Sequence, residues 1–202
     1  VTNLTESGFE DSRAKWVLGG KAMLWFSNRE GLKSLSQSGN TQMDAYALFL
    51  TQAAYDKFKL TKEEAALAKE IDEKNAKADT TKKKDAKKDT TVVIEMEGLE
   101  LRKAKLTIHS SNISDALINK DGDILYYLTR FEKGYNLWST NLRTKETKQL
   151  TTLNANGGGN MVWDKEQKNI FLNADGKISK IDAASGKQES ISTGGDMNLD
   201  VA

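Results

Sequence analysis

The sequence predicts a mainly β chain: a partial β-propeller of about three four-stranded antiparallel blades, interrupted once by a helical and disordered insertion. Three observations predict it. Short β-rich runs recur with turns between them. Landmarks in the second half return at intervals of 44 and 45 residues, and a period of roughly 40–45 residues with four short strands per unit is the signature of a propeller blade. One segment alone has a composition foreign to the rest.

The first copy falls in residues 1–50. It reads Leu4-Thr5, Trp16-Val17-Leu18-Gly19-Gly20-Lys21, Met23-Leu24-Trp25-Phe26, Asn28-Arg29-Glu30-Gly31 and Asp44-Ala45-Tyr46. Strands are expected at 22–26 and 44–50. An insertion at 51–91 follows. Thr61-Lys62-Glu63-Glu64 is a capping box, in which the Thr61 hydroxyl and the Glu64 carboxylate satisfy opposed backbone N–H groups. Leu60, Leu67 and Ile71 make a narrow apolar stripe, and Tyr55 and Phe58 stand three apart, so 51–73 reads as one or two short helices. Residues 74–91 hold seven lysines and three aspartates. With no Val, Ile, Leu, Met or aromatic side chain, they cannot offset their ordering entropy and read as a solvated, disordered tract. Residues 92–107 return the chain to the first blade, with a strand expected at Val92-Val93-Ile94.

The second copy, 108–150 with its Leu106-Thr107 lead, carries Ile118-Asn119-Lys120-Asp121-Gly122-Asp123, Leu125-Tyr126-Tyr127-Leu128, Arg130-Phe131-Glu132-Lys133-Gly134 and Asn136-Leu137-Trp138. Strands are expected at 124–128 and 135–142. The third copy, 151–202 with its exit segment, carries Trp163-Asp164-Lys165-Glu166-Gln167-Lys168, Ile170-Phe171-Leu172, Ala174-Asp175-Gly176 and Ile178-Ser179. Strands are expected at 170–172 and 178–181. Its first turn has lost the glycine that such a hairpin uses. Gly157-Gly158-Gly159 lacks the Lys-Ser/Thr of a phosphate loop and reads as a flexible loop between strands. Trp16, Ile118 and Trp163 fall at equivalent places, where core packing between stacked blades is the expected role.

Composition excludes several functions. The 202 residues contain no cysteine and one histidine, which removes disulfides, thiolate chemistry and multi-histidine metal sites. A net charge of +1 gives no bias toward nucleic acid or anionic membrane. No apolar run reaches the roughly 18 residues of a spanning helix. The N-terminus lacks the basic and apolar regions of a signal peptide, so the chain is expected to be unexported or trimmed, and the compartment stays open. His109, in Thr107-Ile108-His109-Ser110-Ser111, is the one imidazole. Adjacent serines in an extended segment point to opposite faces, so a Ser–His pair is not expected there. Asp121-Gly122-Asp123 and Asn173-Ala174-Asp175-Gly176 lack the twelve-residue calcium spacing and read as turns. No catalytic, cofactor-binding or metal-binding residue is therefore assigned, and no cofactor is expected. Proline is absent, which leaves Gly, Asn and Asp to make the turns.

The ordered landmarks resemble the TolB-like propeller repeat: Leu-Thr, Trp-x-x-x-Gly-Lys before an apolar strand, Ser27-Asn28-Arg29-Glu30-Gly31, then Asp-x-Tyr. The usual Trp-Ser-Pro-Asp-Gly turn stands here as Trp16-Val17-Leu18-Gly19-Gly20, Ile118-Asn119-Lys120-Asp121-Gly122 and Trp163-Asp164-Lys165-Glu166-Gln167. More specifically, the chain resembles the second propeller of tricorn-type serine peptidases. The return stretch Glu97-Gly98-Leu99-Glu100-Leu101-Arg102 and the closing Gly195-Asp196-Met197-Asn198-Leu199-Asp200 carry that likeness. The resemblance implies a non-catalytic segment that guides or filters peptides toward an active site on downstream peptidase domains. Its partners would be peptides and those domains, with self-association through the end blades. A free-standing TolB-like or WD-like interaction propeller is the alternative, and the gating propeller of a prolyl-oligopeptidase relative a third.

Overall fold

The computed structural model describes residues 3–5, 7–33, 41–78, 91–192 and 194. Twelve strands form three four-stranded sheets, each a run of antiparallel neighbours. Blade I is β1 (Asp11–Val17), β2 (Ala22–Ser27), β3 (Asp44–Phe49) and β4 (Lys103–Lys105). Blade II is β5 (Asn112–Ile118), β6 (Ile124–Arg130), β7 (Tyr135–Asn141) and β8 (Thr147–Ala155), and blade III is β9 (Gly158–Trp163), β10 (Asn169–Ala174), β11 (Lys177–Asp182) and β12 (Gln188–Ile191). The fold is thus a mainly β partial propeller with two helices.

Side chains alternate across a strand, so an apolar run needs cover on both faces. β6 shows the solution. Its Leu125 and Tyr127 pack with Leu24, Phe26, Ala47 and Phe49 of blade I. Its Tyr126 and Leu128 pack with Met161, Ile170 and Leu172 of blade III. Each blade is a core layer for its neighbour, and each fully buried aliphatic or aromatic side chain contributes about 1.5–3 kcal/mol.

Register makes the repeat physical. Trp16 pairs with Met23, Ile118 with Leu125 and Trp163 with Ile170, so the three residues hold one position on the inner strands. Each inner strand is also irregular at the same depth, between Ser12 and Lys15, between Ile113 and Asp115, and opposite Phe171 and Asn173. The extra residue of such a bulge bends the strand. Arg13 and Asn160 take left-handed φ there, at 54° each.

The third hairpin forms without its glycine. Gln167 adopts φ 56° and Asp164 organises the turn, its carboxylate accepting from Lys168 N at 2.8 Å and Asn169 Nδ2 at 2.7 Å. Gly158 and Gly159 are not loop residues as expected but open β9. A Cβ on Gly158 would meet Asn173 O at 2.7 Å, so only glycine allows that close pairing with β10.

In the insertion, α1 (Gln52–Lys59) and α2 (Lys62–Ala78) form as expected, and the capping box is made: Thr61 N donates to Glu64 at 2.9 Å and Glu64 N to Thr61 Oγ1 at 3.3 Å. Tyr55 and Phe58 rest on Phe49, with ring centres 5.6 and 4.6 Å away. Residues 74–78, expected to belong to a tract without order, are helical, since α2 continues through Ala78; residues 79–90 of that reading, and the exit at 195–200, lie outside the described residues. Val92-Val93-Ile94 is not a strand. It is exposed and forms no ladder, and Glu95 N reaches Leu50 O at 2.9 Å. The return strand is β4, placed by Arg102. This guanidinium, in a residue 2% exposed, has no carboxylate partner among the described residues and donates instead to the carbonyls of Phe49, Leu50, Glu95 and Glu97. A buried charge must be matched by hydrogen bonds, and four backbone acceptors do it here.

Candidate functional site

Three surfaces could carry function: the inner edges of the blades, a charged network at one end of blade I, and the two end faces of the stack.

β1, β5 and β9 are each the first strand of a sheet and pair on one side only. Their other edges converge. The Arg13 guanidinium donates to Ser114 O, Lys15 pairs with Asp115, and Ser114 Oγ donates to Gly158 O. Asp115 also accepts from Met161 N at 2.7 Å, so one buried carboxylate ties all three inner strands together. The bulges set this up, because they leave Arg13 and Ser114 without a ladder partner, beside the adjacent blade.

The network lies where β2 hands over to β3. Asp44, fully buried, accepts from Thr107 at 2.7 Å and Ser110 at 2.6 Å and pairs with Lys105 at 3.3 Å. Lys105 also holds Glu30 at 2.8 Å, and Tyr46 donates to Glu30 at 3.0 Å. Arg29 lies 4.8 Å over the Tyr46 ring and 5.9 Å from those of Trp25 and Phe9, and it reaches Asp11 at 3.3 Å. Burial alone would raise the Asp11 carboxyl; hydrogen bonds from Ser27, Ser7, Thr5 and Arg29 outweigh it and hold the group at about 2. The Lys105 contact holds Glu30 low, and burial together with Glu30 pushes the Tyr46 phenol up. Every charge here has an internal partner, so the network fastens the blade's end. Asn136 repeats the device in blade II at the register of Asp44, its Oδ1 accepting from Leu153 N and Asn154 N, each at 2.8 Å. The Asn28-Arg29-Glu30-Gly31 and Asp44-Ala45-Tyr46 stretches mark the repeat in sequence; their convergence was not readable there.

The end faces are unequal. On blade I the outer half of the free face is covered by the chain itself: Trp25, Tyr46 and Leu48 are buried under Leu4 and Leu99. The inner half is open. Trp16, expected in a core, is 57% exposed. Beside its cross-strand partner Met23 lies a cavity of about 190 Å³, whose lining includes Leu4, Trp25 and Leu48 together with the charged Asp11 and Arg13. Its counterpart Trp163 is half-buried against blade II, donating its indole N–H to Ile118 O at 3.0 Å and standing edge-on to Tyr126 at 5.3 Å. Trp16 has the same register and the same facing direction, with no blade before it among the described residues.

No nucleophile–base pair exists among the described residues. His109 is exposed in a loop, and Ser110 Oγ is engaged by Asp44. No group of three or more metal-ligating side chains is found among those residues, and no helix is long and apolar enough to cross a membrane.

No protein-family model and no curated protein matches the chain. Solved structures match its fold. The crystal structure of the tricorn protease superposes with a TM-score of 0.58 at 10% identity, over 94% of this chain and 18% of that one. TolB from Acinetobacter baumannii superposes with a TM-score of 0.55 at 10% identity, over 95% of this chain and 34% of that one. The chain therefore spans about a fifth and a third of these proteins. At such identity the likeness defines the fold alone, a TolB-like β-propeller fold.

Proposed function

We infer that the three blades are the non-catalytic part of a larger propeller in a tricorn-like serine peptidase, guiding or filtering peptides toward an active site elsewhere. The observation that carries this reading is the convergence of three inner strands with one unpaired edge each. An extended peptide recognises such edges through its own backbone groups, with little demand on its sequence. The lack of a base–nucleophile pair among the described residues agrees with a role in access. The match over 94% of the chain to the tricorn protease fold supports it.

Titration of the isotope-labelled chain with tri- to hexapeptides tests the reading. Amide shifts should concentrate in β1, β5 and β9, and fluorogenic peptides should remain uncut. Turnover abolished by His109→Ala, or peptide shifts that avoid the inner strands, would overturn it. A free-standing interaction module is the second reading. Leu67 and Ile71 favour it, one turn apart on α2 and 59% and 48% exposed, as an apolar stripe for a protein partner. Ligand shifts confined to α2 would select it.

A further inference from the structure

We propose that the groove between blades II and III binds a small anionic sugar, a monosaccharide carrying a carboxylate or a phosphate.

The groove exists because this joint departs from the one between blades I and II. Trp16 pairs with Met23 and Ile118 with Leu125, so Leu24 and Tyr126, one step further along, hold the same place. The next ladder carries the match into the third strand. Ala22 faces Phe49 as Ile124 faces Asn141, and Leu24 faces Ala47 as Tyr126 faces Ser139. On the opposite wall, Leu142 and Ala183 each follow the third strand of their blade. Each donates its N–H to the residue before the second strand, Asp123 O at 2.7 Å and Lys168 O at 2.9 Å, so they are counterparts. Between blades I and II these places are apolar and full. Phe49 and Leu142 are buried there, and Tyr55 and Phe58 of α1 pack on Phe49. Between blades II and III the same places hold Asn141, Ser139 and Ala183, and β7 runs into a turn with no helix after it. The space left is about 500 Å³, within the range of small-molecule sites. Its walls are consecutive blades of this chain, so no further blade enters this joint.

The lining selects the ligand. Ile124, Tyr126 and Trp163 give an apolar wall. Four polar groups of the lining have no partner among the described residues: the Lys120 and Lys148 ammoniums, the Ser139 hydroxyl and the Gln167 side-chain amide, whose Oε1 is buried. The third lysine of the lining, Lys168, is held by Glu166 at 2.7 Å. The carboxylate of the lining, Asp182, accepts from Ser185 N at 2.7 Å and Ser185 Oγ at 2.6 Å. Two uncommitted cations call for an anion, since charge-assisted hydrogen bonds are the strong ones. A flat apolar acid would satisfy the lysines and leave Ser139 and Gln167 unmet, at the cost of any desolvated polar group without a partner. A hydroxylated ring supplies donors and acceptors to both, while its C–H groups rest on the apolar wall. The site shares no residue with the converging edges at Arg13, Ser114 and Gly158, so it stands independently of the peptide reading.

NMR titration of the isotope-labelled chain with glucuronate and with glucose 6-phosphate tests it. Shifts should centre on the Trp163 indole N–H and the Gln167 side-chain amide and saturate with a Kd of about 1 mM or below, the scale for a ligand of this size. The tighter of the two ligands identifies the acid group. Ala183→Leu gives blade III the residue of blade II and should abolish the shifts with no loss of melting temperature. Lys148→Gln, an exposed change that serves should Ala183→Leu disturb folding, should weaken binding about tenfold. Glucose, inorganic phosphate and benzoate offer the ring, the charge and the flat acid singly, and each should bind about tenfold more weakly or worse. Equal binding of any of these three, unchanged affinity in folded Ala183→Leu or in Lys148→Gln, or no saturation by either sugar anion would overturn the proposal.

Discussion

Trp16 and Trp163 are the same residue in the same register of the first strand in their blades, yet one is 57% exposed and the other is held by an indole hydrogen bond and an aromatic edge. The strands beneath them are alike. What differs is the neighbour, since blade II stands before Trp163 and the described residues form no blade before Trp16. In a stack of repeats, burial is a property of position in the row as much as of residue type. The two ends teach a second point. Blade I is interrupted by a long insertion and uses its return segment as a partial cap, through Leu99 and the clamp of Arg102. Blade III is compact and has no cap of its own among the described residues.

The largest expected effect breaks that cap. Arg102→Met removes the guanidinium that four backbone carbonyls share, of which Leu50 O keeps the Glu95 N–H, and should cost about 3 kcal/mol in urea-unfolding free energy. Arg102→Lys should not restore it, because an ammonium offers three donors at a point and not a planar fork. An Arg102→Met chain of wild-type stability would show the return segment to be passive. Next comes the sealed joint. Leu128, fully buried between blades II and III, should cost about 2–5 kcal/mol as Leu128→Ala, through lost transfer energy and the cavity left behind. A loss below 1 kcal/mol would mean the blades are loosely apposed.

Trp163→Phe keeps a ring at the joint and removes the bond to Ile118 O, for an expected loss of about 1 kcal/mol. Acid sharpens the contrast at the other end. Asp11 is depressed from 3.8 to about 2, so its stabilisation is fully present above its ordinary value and disappears as pH falls through about 2. Melting temperature should fall between pH 4 and pH 2, and the fall should be smaller in Asp11→Asn. Equal slopes would remove Asp11 from the account. Smallest of all is Trp16→Ala, within about 0.5 kcal/mol in urea unfolding, because Trp16 is 57% exposed.

How much of this was legible in the sequence depended on where each segment's stabilisation comes from. β2, β3, β6 and β7 are buried on both faces, so their apolar runs announce them. β1, β8 and β12 read Asp-Ser-Arg-Ala-Lys-Trp-Val, Thr-Lys-Gln-Leu-Thr-Thr-Leu-Asn-Ala and Gln-Glu-Ser-Ile. Polar stretches like these become strands because a neighbour offers a ladder, which composition does not record. Val92-Val93-Ile94 fails the opposite way: its β propensity is high, but it finds no strand to pair with. Equivalence of Trp16, Ile118 and Trp163 was legible from spacing, whereas the exposure of Trp16 depends on what precedes blade I. The network at blade I was hidden because its members come from 11, 29–30, 44–46 and 105–110, and only folding brings them together. In the sequence Arg102 carries only part of a resemblance, and nothing in a lone arginine signals burial against backbone.

The repeat places blade III on blade II through Trp163. Aromatic NOE spectroscopy of the labelled chain tests it most directly. At a ring separation of 5.3 Å, the Trp163 indole should give strong cross-peaks to the Tyr126 ring, and its N–H should exchange slowly behind the bond to Ile118 O. Absence of those cross-peaks in a folded sample, with a Trp163 N–H that exchanges as fast as a solvent-facing indole, would contradict the stacked-blade account.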